Sequence, residues 1–435
     1  MPRVLVLGDD MTGSNATGAL FARLGLRTVV VSAPLAERPV VLAAGSGVDA
    51  LVVNLSSRHL SPDASREAVR LALRQAGPVE LTVKRVDTTL RGNLGPETDA
   101  VLGDARAGTR ALVVPAFPDA GRVTLGGLHV VDGVPLAETS AARDPLTPVH
   151  SSRVATVLLA GIDRSIREVP LDVIEAGVEA TAAALDKPAE HGTPAELVVC
   201  DATTNAHLTT IARAAATITA RMGTHWVSVD SGPFGVRLAA ALGISPGSGP
   251  TRPVFAVIGS VTELTGVQVA HLESELDARF VDVALDHLAP QWIADQAAGL
   301  FRAKHSVIGI RTRLPPHGTQ VDPVAAARIP EAMAAATRIV FEQHDIGGLY
   351  ATGGDIAAAV TARLAADGFE IDTDVLPLAV AGRLVGGPWH GLPFATKGGL
   401  IGGQDAAVAC IDHLNFVIAR DRRIARNATA ERTSR

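Results

Sequence analysis

Lysine is almost missing from this chain: of 39 basic residues only Lys84, Lys187, Lys304 and Lys397 are lysines. A position that keeps lysine against such a bias is one that needs a compact ammonium, and Lys84 and Lys397 both fall in motifs described below. Cysteine is scarce as well. Cys200 and Cys410 lie far apart with no metal-ligand spacing, which excludes a disulfide framework and indicates small buried residues in a reducing compartment. No run approaches the ~18 uninterrupted apolar residues of a membrane helix. The N-terminal run Met1–Leu7 carries one arginine and soon meets Asp9 and Asp10, so it reads as a first β-strand; a signal peptide would need a longer apolar stretch. A soluble, cytoplasmic protein without a membrane partner is expected. The net charge of −6 gives no general basic surface and argues against nucleic acid, although a small anion can still be met by local charge. The 13 histidines show no HExxH or similar spacing, and Ser231-Gly232 and Ser260 lack the surroundings of a nucleophile elbow. Walker and dinucleotide fingerprints are absent too.

What is present is an α/β pattern. With 435 residues, 47% of them apolar, the chain is long enough for two cores. Short apolar runs at Val4–Leu7, Thr28–Val31, Ala50–Asn54, Glu80–Val86, Ala111–Pro115, Glu196–Asp201 and Trp226–Asp230 alternate with stretches of helical spacing such as Thr17–Leu24, Ser65–Gln75 and Leu208–Met222. Strands alternating with helices predict mostly parallel sheets covered on both faces. The stretch from Ser245 to Pro253 holds three prolines and two glycines, a strong linker signal. The alternation resumes after it: strands at Val254–Ile258, Phe280–Leu285, Ser306–Thr312 and Gly348–Ala351, helices near Thr265–Leu276, Pro330–Glu342 and Ile356–Ala366. The expected division is a first domain at 1–245, a linker at 246–253, a second domain at 254–418 and an arginine-rich, frayed helical tail at 419–435. The expected fold is two α/β domains with mostly parallel sheets and an active-site cleft between them.

Chemistry gathers where the expected strands end, the edge at which open α/β sheets bind ligands. In the first half Asp9 and Asp10 close the first strand, either as hydroxyl acceptors or base, or as a helix cap. Arg58 follows another strand, and a third ends in Lys84-Arg85-Val86-Asp87, with Arg91 and Gly92 just beyond. Arg58, Lys84 and Arg91 can together hold a carboxylate, with Asp87 orienting one of them; a surface ion-pair network is the plain alternative. In the second half the turns are rich in glycine: Gly259-Ser260, Thr352-Gly353-Gly354-Asp355 and Lys397-Gly398-Gly399, continuing to Gly402-Gly403. Glycine lets backbone approach phosphate closely, and a helix N-terminus offers free N–H groups. Two such turns plus Lys397 suit a triphosphate, though each alone also suits an ordinary tight turn.

Taken in order, these pieces resemble the four-carbon acid sugar kinases. The Asp-Asp-x-Thr-Gly turn, Lys84–Gly92, the Pro115–Arg122 stretch and Asp144-Pro145-Leu146-Thr147-Pro148-Val149 resemble that family's substrate domain; the glycine turns resemble its nucleotide domain. The resemblance runs from about residue 4 to residue 412. Met11, Ile356 and Leu400-Ile401 depart from the family's usual residues. The resemblance implies an acid-sugar-binding first domain and a nucleotide-binding second one, with ATP and Mg2+ as cofactors and phosphorylation of a hydroxyl, the 4-OH, of 3-oxo-tetronate, threonate or erythronate. It implies acid-sugar contacts at Asp10, Arg58, Lys84, Arg85, Val86 and Asp87, to which the reading of the strand ends adds Asp9 and Arg91. ATP contacts are implied at Ser260, Gly353, Gly354, Asp355 and Gly399, and the glycine turns themselves add Thr352, Lys397 and Gly402. Asp355 and Asp10 are the candidate catalytic residues; either can take the hydroxyl proton, or Asp355 can hold Mg2+, and no metal ligand is assigned. Closure about the linker would align hydroxyl and γ-phosphate. With aromatic residues at 3%, stacking on the sugar is minor and hydrogen bonds set specificity. A homo-oligomer is left open. Two rivals are a silent sugar-acid sensor, which measurable ATP consumption excludes, and a nicotinamide-dependent sugar-acid dehydrogenase, which a cofactor titration decides.

Overall fold

The computed structural model describes residues 2–32, 47–187, 196–244, 252–284, 287–303, 305–313 and 327–433. Leu285, Ser245 and residues 246–251 of the expected linker lie outside the described residues. The chain divides into two compact units, 1–247 and 248–435.

The first unit contains strands β1 Val4–Gly8, β2 Thr28–Ser32, β3 Ala50–Asn54, β4 Leu81–Arg85, β5 Arg110–Val114, β6 Arg122–Leu125, β7 Leu128–Val131, β8 Val134–Pro135, β9 Ile166–Val169, β10 Leu197–Cys200 and β11 Trp226–Asp230. Eight of them form one sheet in the order β2-β3-β1-β4-β11-β5-β10-β9, every pair parallel. Side chains alternate across a strand. Val4 and Val6 enter a core with Phe21 of the helix Met11–Arg23 and Leu208 and Ile211 of the helix Asn205–Met222. Leu5 and Leu7 enter the opposite core, with Val69 of the helix Pro62–Ala76 and Val101 of the helix Leu94–Asp104. Burial on both faces is why these strands read as unbroken apolar runs. Strands β6, β7 and β8 form a separate antiparallel sheet.

In the second unit a seven-stranded sheet is ordered β13-β14-β12-β15-β18-β17-β16, from β12 Val254–Ile258, β13 Arg279–Val283, β14 Val307–Thr312, β15 Gly348–Thr352, β16 Gly368–Leu376, β17 Ala379–Val385 and β18 Pro393–Lys397. Five strands are parallel; β17 and β16 run antiparallel at one edge. Phe255 and Val257 face one core, Val254, Ala256 and Ile258 the other. The final helix runs without a break from Ala406 to Thr433, through the segment expected as a tail.

Candidate active site

Strands β3, β1 and β4 are neighbours, so the residues that follow them meet at one edge of the sheet. Asp10 is the N-cap of the helix Met11–Arg23, its Oδ1 accepting from the Gly13 N–H at 2.8 Å. Capping is not its only task, because Arg85 Nη1 reaches Asp10 Oδ1 and Asp9 Oδ1, each at 3.0 Å. Asp9 is buried and also accepts from Arg58 Nε at 2.7 Å. Arg58 Nη2 lies 3.0 Å from Asp10 Oδ2 and 3.3 Å from Asp87 Oδ1, but is aligned with neither for a hydrogen bond. A buried donor without an acceptor is costly, and a ligand oxygen is one group that can satisfy it. Ser57 Oγ, one residue earlier, is also buried without a partner among the described residues.

Asp87 extends the network. It accepts from Arg91 Nε at 2.8 Å, and Arg91 Nη1 donates onward to Asp144 Oδ2 at 3.0 Å. Burial pushes the Asp87 carboxyl up, but hydrogen bonds from Arg91 and Thr89 and the charge of Arg58 outweigh it and bring it down to about 2. The backbone N–H groups of Thr147 and Leu146, followed by Arg91, hold Asp144 far below the usual carboxylate range. The result is a lattice of three guanidiniums and four carboxyl groups, a set suited to hydroxyls and a carboxylate.

Two expected contacts stand apart from it. Lys84 is fully buried: its Nζ donates to Leu7 O at 3.2 Å and Arg85 O at 2.7 Å and pairs with Glu97 Oε2 at 2.7 Å. All three ammonium protons are engaged, so here Lys84 ties β1, β4 and the helix Leu94–Asp104 together. The Val86 side chain belongs to the core, and its N–H donates to Asp230 O. Asp230 and His129 were not foreseen. Asp230 ends β11 opposite Arg85; burial raises its pKa, and it accepts from Ser228 Oγ and the Gly232 N–H. The strand-end rule that found Asp9 would have found it; His129, inside a short strand, carries no comparable signal.

In the second unit β12, β15 and β18 are adjacent, which brings the three glycine turns together. The Gly353 N–H donates to Lys397 O at 3.0 Å and the Gly259 N–H to Thr352 O at 3.2 Å. Thr265 Oγ1 bonds Ser260 Oγ at 2.8 Å and Gly399 O at 3.1 Å, while Thr262 caps the helix Glu263–Glu275 through the Thr265 N–H. A Cβ on Gly399 would fall 2.1 Å from Ser260 Oγ, so only glycine lets these turns touch. Gly353 has φ +100°, a conformation that favours glycine. A Cβ there or on Gly354 would meet nothing nearer than 3.9 Å, so the space over this turn is open. Asp355, in the first turn of the helix Gly354–Arg363, is exposed, and among the described residues its carboxylate has no partner. Lys397 is buried, its Nζ 3.1 Å from Gly398 O, and burial lowers its pKa. Gly402 has φ +77° in the loop that Gln268 holds through Ile401 O and Gly403 O. The open cradle fits polyphosphate, and the free carboxylate of Asp355 is a hard oxygen donor of the kind Mg2+ takes.

One sheet edge lined with arginines and carboxylates and another with an open glycine cradle are the parts a two-domain phosphotransferase needs. Comparison with known proteins agrees. Residues 4–238 match the model of a sugar-binding N-terminal domain, and residues 255–407 that of a nucleotide-binding C-terminal domain. A D-erythronate kinase from Heliobacterium modesticaldum is 38% identical, the match covering 97% of this chain and 99% of that one. A D-threonate kinase from Salmonella typhimurium is 33% identical over 96% of this chain and all of the relative. A solved structure from Bordetella bronchiseptica, described as a domain of unknown function with bound citrate and a domain-swapped dimer, superposes with a TM-score of 0.63 at 30% identity, covering 95% of this chain and 99% of that one. The chain belongs to the four-carbon acid sugar kinase family.

Proposed function

We propose that this chain transfers the γ-phosphoryl group of ATP to the 4-hydroxyl of a four-carbon acid sugar, with D-erythronate first among erythronate, threonate and 3-oxo-tetronate. The observation that carries the reading is the meeting of three glycine turns and Lys397 on adjacent strand ends. The kinase names of the relatives support the substrate class, and the 38% identity to a D-erythronate kinase sets the order.

Phosphoryl transfer asks mainly for positioning and charge neutralisation. In the first unit the open donor of Arg58, together with Arg91, holds the sugar carboxylate, while Asp9 and Asp10 accept its hydroxyls. Arg85 and Asp87 keep that lattice in register, with Lys84 and Val86 as its footing. In the second unit Ser260, Thr352, Gly353, Gly354, Gly399 and Gly402 line the phosphates and Lys397 balances their charge. Asp355 holds Mg2+, which when bound neutralises charge on the phosphate oxygens. Asp10, facing the sugar, receives the hydroxyl proton.

Both cysteines are free and buried, in keeping with a cytoplasmic enzyme; among the described residues no helix is long and apolar enough to cross a membrane. The Bordetella relative is a domain-swapped dimer, and a homo-oligomer is part of the proposal, read by light scattering. The deciding experiment is coupled ADP release with Mg·ATP against D-erythronate, D-threonate, their 3-oxo forms and longer aldonates. Turnover on a four-carbon acid supports the reading; ATP binding without turnover on any of them favours the sensor instead.

A further inference from the structure

The small antiparallel sheet β6-β7-β8 holds no residue of either ligand edge, yet at its centre lies a fully buried histidine. His129 Nε2 is 2.9 Å from the carbonyl oxygen of Thr88, and its Nδ1 is 3.3 Å from Thr124 Oγ1. A carbonyl only accepts, so Nε2 carries the proton and Nδ1 accepts from the threonine hydroxyl. Burial lowers the imidazole's pKa, which favours this neutral tautomer.

Thr88 stands between Asp87 and Thr89, in the loop that carries Asp87 and Arg91. That loop bends sharply: Leu90 has φ +56° and Gly92 φ +96°, and Leu90 is a non-glycine residue in the left-handed region. Such a conformation persists only where its surroundings hold it. Within the loop the Thr89 and Leu90 N–H groups turn back to Asp87, while the Thr88 carbonyl points outward to the histidine. The histidine in turn rests on a fixed frame. Its own N–H donates to Ser152 O at 2.7 Å, and Thr124 exchanges two backbone hydrogen bonds with Ala202, each 2.9 Å. Beside them Asp201 accepts from the N–H groups of Gly126 and Gly127 at the turn of the sheet.

We propose that His129 is a positioning residue for the acid sugar: its Nε2–H, held by the small sheet, fixes the Thr88 carbonyl and thereby the placement of Asp87 and the Arg91 guanidinium. This rests on the reading that Arg91 binds the substrate carboxylate. Glutamine can place an amide N–H where Nε2 is, whereas asparagine is too short and leucine has no donor. In the full-length chain, His129→Leu and His129→Asn raise KM for the preferred acid about fivefold to tenfold, the worth of one well-placed hydrogen bond. KM for ATP and kcat change less than about twofold, and His129→Gln returns to within about threefold of the native KM. Hydrogen exchange over residues 86–92 without substrate quickens in the leucine and asparagine variants and not in the glutamine variant. Native exchange together with native KM in His129→Leu overturns the proposal, as does a glutamine variant no better than asparagine, a comparison that stands even where leucine fails to fold. If Arg91→Ala leaves KM for every acid unchanged, the reading of the loop as the acid site falls, and the exchange data still decide whether His129 holds it.

Discussion

Replacing Gly13 with alanine sets two physical effects against each other. Gly13 lies in the first turn of the helix Met11–Arg23, where alanine is favoured over glycine by about 1 kcal/mol. Helix propensity alone therefore makes Gly13→Ala stabilising. The structure says otherwise, because a Cβ at this position would land 1.7 Å from the Arg85 guanidinium. That guanidinium must leave Asp9 and Asp10, and Asp9 is only 3% exposed. Removing one partner of a buried ion pair costs about 3–5 kcal/mol. Arg58 still reaches Asp9, so the low end, about 3 kcal/mol, applies, and the helix gain leaves a net loss of about 2 kcal/mol. For a unit of this size about 2–4 °C accompanies each kcal/mol, so its melting transition falls by about 4–8 °C, where propensity alone raises it by about 2–4 °C. Calorimetry reads the difference directly, and KM for the acid rises about tenfold with KM for ATP unchanged. The cause is checked by Gly13→Ala in an Arg85→Ala background, where the clash has no target and the substitution becomes neutral or stabilising. A higher transition in the single variant, or an equal loss in both backgrounds, refutes the reasoning.

Asp355→Ala and Asp10→Ala are each expected to lose most turnover in the ADP-release assay, and native turnover in either removes that residue from the proposed mechanism. With Asp355→Ala, KM for the acid stays near native; with Asp10→Ala it rises, since of the two only Asp10 belongs to the arginine–carboxylate lattice proposed to hold the acid. Acid stability has a signed expectation too. Asp87 has a folded pKa of about 2 against an ordinary 3.8, so its share of stability is complete above about pH 4 and is lost as pH falls towards 2. The shift corresponds to about 2 kcal/mol. In urea titrations from pH 5 to 2, Asp87→Asn should flatten that part of the stability curve, and an unchanged slope rejects the linkage.

Legibility in the sequence followed burial. Strands Ala50–Asn54, Trp226–Asp230 and Val254–Ile258 were read with their ends correct because they are buried on both faces and apolar throughout. The pair Gly368–Leu376 and Ala379–Val385 was missed: its first strand is an edge carrying Glu370, Asp372 and Asp374, with no unbroken apolar run to mark it. The helix Leu94–Asp104 was missed because Gly95 and Pro96 stand in its first turn, where proline is tolerated but reads as a breaker. At the edge proposed for the sugar the residue types were legible and their partners were not. Lys84 does need a compact ammonium, but its partner Glu97 arrives with a helix that the pattern concealed. The glycine turns were legible singly; only the strand order makes β12, β15 and β18 neighbours.

That order also sets a timetable for synthesis. In the first unit the strand lying between β4 and β5 is β11, the last of its sheet to leave the ribosome. Until Trp226–Asp230 arrive, β2-β3-β1-β4 and β5-β10-β9 are two half-sheets with no hydrogen bonds to each other. Each waits with a raw inner edge of unpaired backbone, the kind of edge that invites a wrong partner. The acid and arginine groups that follow β1, β3 and β4 are all made within the first 91 residues. They gain their finished floor only when a segment made more than a hundred residues later slides between the halves and brings Asp230 beside Arg85. A nascent chain halted before residue 226 would thus carry every sugar-side residue proposed here and still have no closed sheet to hold them.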